Sequence, residues 1–98
     1  MYFVEIAAAA EGDIRDAFLW YHERNALVAA AFRTEALDAI EQVGKTPLGR
    51  APDETGDRRR VLHRFPYSVV YEVTGGTVTI LAVSHHRRKP GYWHQTPA

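Results

Sequence analysis

Two alternating runs, YSVVYEVT and TVTILAVS, meet at Gly75-Gly76, and no other stretch constrains the fold as tightly. A two-residue link between strands needs positive φ, which glycine adopts without steric cost. The link also fixes register. Thr74 is set opposite Thr77, Val73 opposite Val78, Tyr71 opposite Ile80 and Val69 opposite Ala82, so alternate residues of both strands build one apolar face. Upstream of Pro66, RRVLHRF reads as a further antiparallel strand. On it Arg58, Arg60, Leu62 and Arg64 alternate with Arg59, Val61, His63 and Phe65, and the second set is expected to face the core.

An apolar sheet face has to be covered, and the first half of the chain supplies the cover. MYFVEI reads as an N-terminal strand. Ala10, Ile14, Ala17, Phe18 and Tyr21 recur at helical spacing, with Asn25 expected as a left-handed C-cap. Ala29, Phe32, Ala36, Ile40 and Val43 mark a second helix ending at Gly44, with Arg33, Glu35, Asp38 and Glu41 mostly off the stripe. Leu37 is expected to join the core aromatics, whereas Trp20 lies off the main stripe and is left for a partner. Residues 45–57, KTPLGRAPDETGD, read as a surface loop without a regular element. The fold class is therefore α+β: an N-terminal strand, an antiparallel two-helix hairpin, then a three-stranded antiparallel meander. At 98 residues the chain is expected to be a single domain, 1–98.

Composition narrows the function classes. With no cysteine there is neither a disulfide framework nor a zinc–cysteine site, which fits a cytoplasmic protein. The most apolar stretch, AFLWYHERNALVAAAF, is cut by charged residues, so neither a membrane span nor a targeting segment is expected. No cofactor is implied. His85 and His86 are neighbours that point to opposite faces of an extended chain, which argues against a metal site. Residues 1–56 hold ten acids and five bases, leaving residues 57–98 with two acids and seven bases. Such a split either offers a basic surface to an acidic partner or holds the two halves together across the fold.

The basic half ends in HHRRKPGYW. Arg87, Arg88 and Lys89 beside Tyr92 and Trp93 have the composition of an interface hot spot, and single-stranded nucleic acid is bound by the same residue types. Pro90 stiffens the segment and presents its cations; the alternative for Trp93 is that it folds back over the open end of the core. On the second strand, Arg58, Arg60 and Arg64 add a basic patch suited to an acidic segment, or serve only to deter edge-to-edge pairing.

This order of elements, with RRVLHRFPYSVVY followed by AVSHHRRKPGYW, resembles the RelE/ParE superfamily of bacterial type II toxins over almost the whole chain. The resemblance implies a toxin held silent by a cognate antitoxin in a hetero-oligomer. It leaves two activities. RelE-like members cut messenger RNA on the ribosome, and ParE-like members inhibit DNA gyrase. The positions that carry nuclease chemistry in RelE-like members fall here near Arg59 and Val61, on Ser68, and on His86 and Tyr92. Cations are missing at Val61 and Ser68, which removes much of the stabilisation a pentacoordinate phosphate needs and favours the ParE-like reading. On that reading Arg87, Arg88, Lys89, Tyr92 and Trp93 meet the target, and Trp20, Arg58, Arg60 and Arg64 meet the antitoxin. The alternatives are a ribosome-dependent endoribonuclease using His85, His86, Arg88 and Tyr92, and an inactive relic that binds antitoxin alone.

Overall fold

A computed structural model describes residues 2–89 and 91–94. Its elements run β1 (Phe3–Ile6), α1 (Ala8–His22), α2 (Ala26–Lys45), a short 3₁₀ turn (Pro47–Gly49), β2 (Arg58–Val61), β3 (Tyr67–Thr74), β4 (Thr77–His85) and a second 3₁₀ turn (Tyr92–His94). The sheet order is β1-β4-β3-β2, with β1 parallel to β4 and the other pairs antiparallel. The meander and the helix hairpin are those the sequence predicts, and the N-terminal strand completes a mixed sheet beside β4.

Gly75 takes φ 59°, the one positive value in the β3–β4 turn, as a hairpin with glycine at its first central position requires. Register follows the predicted pairs from Thr74↔Thr77 to Tyr71↔Ile80. A bulge at Leu81 then shifts it, so Ala82 pairs with Val70 instead of Val69, and Val69 with Val83. The bulge keeps Val69, Tyr71, Val78, Ile80 and Val83 in the core while re-aiming the end of β4.

Helix stripes fill the space above that face. Ala10 and Ala17 of α1 and Phe32, Ala36, Ile40 and Val43 of α2 are buried against it. Full burial of each large side chain contributes roughly 1.5–3 kcal/mol. Small residues predominate on α1, which lets it lie close to β4. Rings from four segments, Tyr21, Phe32, Phe65 and Tyr67, close one end of the core, with Phe32 5.1 Å from Tyr67 and 5.4 Å from Phe65 between centroids. Leu37 departs from expectation and is exposed, because it falls between the turns that face the sheet.

Four further expectations are corrected. Asn25 does not cap α1 in a left-handed conformation; with φ −165° it is the N-cap of α2, its side chain accepting from the amides of Leu27 and Val28. Gly44 lies inside α2, where a Cβ would stand 2.7 Å from Val4 Cγ2, so glycine there permits close approach to β1 rather than ending the helix. The 45–57 stretch holds a 3₁₀ turn and a buried acid, Asp57. Finally, β2 ends at Val61 and its faces are reversed: Leu62 is buried and Val61 is 56% exposed. Arg58 and Arg60 pair with the core residues Tyr71 and Val69, an arrangement open to arginines because their aliphatic stems cover apolar surface while the guanidinium reaches polar partners.

Candidate target and partner interface

The segment after β4 folds back onto the domain. Its near end is fixed by three hydrogen bonds: the amide of His86 donates to the Pro66 carbonyl (2.9 Å), that of Arg87 to His85 Nδ1 (3.0 Å) and that of Arg88 to the His85 carbonyl (2.9 Å). Gly91, at φ 83°, turns the chain into the Tyr92–His94 turn. Pro90, expected to stiffen this segment, lies outside the described residues.

Two carboxylates receive the far end. Tyr92 donates its hydroxyl to Asp13 Oδ2 (2.7 Å), and the same oxygen accepts the Val83 amide (3.0 Å) at the edge of β4 beyond its pairing with β1. The Arg88 guanidinium stacks 3.6 Å from the Tyr92 ring centroid and approaches Asp13 at 3.9 Å. Burial, then the hydrogen bond to and the charge of Asp13, push the Tyr92 hydroxyl far above its ordinary range. Asp57, 2% exposed, takes the second load: its Oδ2 accepts the Trp93 indole N–H (2.8 Å) and lies 2.6 Å from His94 Nε2. Arg59 faces the Trp93 ring at 5.0 Å.

Trp93 folds back, but onto Asp57 and Arg59 rather than over the open end of the core, and of the predicted target-binding set Arg87 and Lys89 stand exposed while Tyr92 and Trp93 are half-buried. Arg88 is exposed yet braced from below by Tyr92.

Two concavities flank this segment. An open groove of about 540 Å³ runs between α1 and the end of β4, lined by Trp20, Tyr21, Tyr67, His85, Arg88 and Tyr92, with Asp13 on its wall. It joins Trp20, assigned to the antitoxin, to Arg88 and Tyr92, assigned to the target. The other predicted antitoxin residues lie elsewhere. Arg58 donates to the Arg50 carbonyl, Arg60 to Gln42 Oε1 (3.0 Å) and Arg64 Nε to Glu35 Oε1 (3.5 Å), so all three brace the loop and α2.

A smaller hollow of about 340 Å³ is lined by Arg59, Val61, Ser68, Ser84, His85, His86 and Arg88. The nuclease positions carried over by resemblance, Arg59, Val61, Ser68 and His86, therefore meet in one place. Ser68 Oγ and His86 Nε2 are 3.0 Å apart. Tyr92 does not line the hollow, its hydroxyl being given to Asp13. His85 packs its ring edge-on against Tyr67 and lines both concavities, while His86 lies past the end of β4, so the two histidines do not separate onto opposite faces as strand alternation predicts.

Sequence reasoning missed the organising acids Asp13, Glu35 and Asp57. Glu35 accepts the His63 and Arg64 amides and fixes the bend between β2 and β3. The available signal was local: Asp57 directly precedes the arginine run, and Asp13 adjoins the core position Ile14.

The comparisons agree with this architecture. A solved structure described as the chromosomal ParDE TA system from P. aeruginosa matches with a TM-score of 0.78 at 19% identity, covering 87% of this chain and 96% of that one, which establishes a shared fold. No curated protein matches significantly. The family model for the ParE toxin of the type II toxin-antitoxin system, parDE, matches residues 4–90, nearly the whole length over which strand, helix hairpin and meander have been traced, and the chain belongs to that toxin family.

Proposed function

We propose that this chain, acting as one domain in the cytoplasm, inhibits DNA gyrase by binding it and is silenced by a cognate ParD-type antitoxin in a hetero-oligomer. The observation that carries the gyrase reading is the Tyr92 hydroxyl. It is committed to Asp13 and held neutral, so the hollow where superfamily nucleases work keeps Arg59, His86 and Arg88 but has Ser68 and Val61 where cations would stand. A general acid or base has to reach the proton it moves, and a tyrosine with so high a pKa does not give or take one near neutral pH. Arg87 and Lys89, exposed beside the braced Arg88, supply a binding surface instead. The antitoxin reading is supported by the groove beside Trp20, whose apolar walls suit a partner segment, and by the basic second half of the chain.

One observation favours the ribonuclease alternative: Ser68 and His86 are in contact between two arginines. A single pair of assays separates the readings. Purified protein is expected to block gyrase supercoiling, with Arg87→Ala/Arg88→Ala at least tenfold weaker, and to leave ribosome-bound messenger RNA uncut by primer extension. Cleavage at ribosome-bound codons that disappears with His86→Ala, together with unimpaired gyrase, would replace the gyrase reading with the nuclease. Protein inert in both assays that still co-purifies with its antitoxin would be the relic.

A further inference from the structure

We infer that Asp57 is a positioning residue for target binding: by holding Trp93 and His94 it closes the segment after β4 into a strap, so that Arg87, Arg88 and Lys89 form a preformed basic crest rather than a free tail. The inference rests on the assignment of that crest to the target.

Asp57 is fixed from its own side before the strap arrives. Its amide donates to Asp53 Oδ1 (3.1 Å), and its carbonyl accepts the Asp53 amide (2.7 Å). The side chain is thereby aimed by backbone bonds that do not depend on it. A carboxylate with 2% exposure is costly to leave unpaired, and the donors on its Oδ2 are both from the strap, at 2.8 Å and 2.6 Å. Opening the strap would give up both of these hydrogen bonds to a carboxylate, which favours the closed form. At its other end the strap leaves β4 through bonds to His85 and Pro66, and midway Tyr92 is tied to Asp13 with Arg88 stacked on its ring. The crest is held from both directions, and cations ordered before binding lose less entropy on docking. Asp57 itself touches no target; it acts through Trp93 and His94.

Limited trypsinolysis of the full chain reads the strap directly, because Arg87 and Arg88 are cleavage sites only when the chain there opens. Asp57→Ala, Asp57→Asn and His94→Ala are compared with the parent for cleavage after Arg87 and Arg88, growth inhibition at matched expression, antitoxin co-purification and thermal midpoint. Cleavage is expected to rise about tenfold in Asp57→Ala and several-fold in His94→Ala, with growth inhibition falling in the same order. Asp57→Asn, which keeps an oxygen for the Trp93 N–H, falls between Asp57→Ala and the parent. Antitoxin binding is retained. Unchanged cleavage in His94→Ala and Asp57→Ala overturns the inference, as does faster cleavage with undiminished growth inhibition. Should Asp57→Ala fail to fold, His94→Ala, on an exposed residue, decides alone. A parent that does not inhibit growth would sink the toxic reading, while the cleavage comparison still shows whether Asp57 closes the strap.

Discussion

Tyr92 is held from two sides. Its ring carries Arg88 and its hydroxyl is held by Asp13. The sign of its pH effect follows from linkage. Below the ordinary tyrosine value of 10 the hydroxyl is neutral in folded and unfolded chains alike, so it adds no pH dependence. Above it the unfolded chain releases a proton that the folded one retains, and stability falls as pH rises. Burial raises Tyr21, Tyr67 and Tyr71 in the same direction, so Tyr92 contributes one part of a shared decline. Tyr92→Phe is expected to cost about 1–2 kcal/mol at neutral pH, where Asp13 loses a donor, and to flatten the loss of stability between pH 10 and 12. Urea titrations of both proteins across that range check it; parallel curves would mean that the Asp13 contact does not hold in solution.

At the scale of elements, the close approach of α2 to β1 is the tightest contact that a small substitution can probe. Alanine is a better helix former than glycine by up to about 1 kcal/mol, yet its Cβ at position 44 would meet a β-branched side chain with little rotamer freedom. Gly44→Ala is expected to destabilise by about 1 kcal/mol alone and to become neutral or stabilising with Val4→Ala. A double-mutant cycle by chemical denaturation measures the coupling, and strict additivity would show that α2 and β1 are not in contact there. Elements of this kind were only partly legible in the sequence. The hairpin, the two helix stripes and their order could be read because each repeats a local period. Asn25 was assigned to the wrong helix end, since asparagine suits a left-handed C-cap and an N-cap alike. The faces of β2 were misread because arginines at Arg58 and Arg60 hide their apolar stems from any pattern of polar and apolar letters. Of the candidate site, the residue types of the strap were legible. Its anchors were not, because Tyr92 and Asp13 are 79 positions apart and Trp93 and Asp57 are 36 apart, and nothing local pairs them.

For the whole molecule, the division of charge between the halves serves in part to hold them together, one of the two ends that the sequence allowed. Arg64 meets Glu35 at 3.5 Å and Arg88 approaches Asp13 at 3.9 Å, binding second half to first, while Arg87 and Lys89 stay exposed. Among the described residues no helix is long and apolar enough to cross a membrane. The sheet that joins the halves has a further consequence, in time rather than in space. β4 meets β3 across a two-residue turn but meets β1 through partners far apart in sequence, such as Phe3 and Thr77. Closing the larger loop costs entropy that grows with its length, so the local hairpin forms first and the parallel strand arrives late. Gly75→Ala, which strains a positive φ in the early turn, should slow refolding, whereas Ile6→Val in β1 should mainly hasten unfolding. Stopped-flow kinetics distinguish them, and equal effects on both rates would contradict the order. Until β1 docks, Thr77–Ile80 present an open strand edge, and a second chain that supplies its own β1 there would be captured as an exchanged dimer.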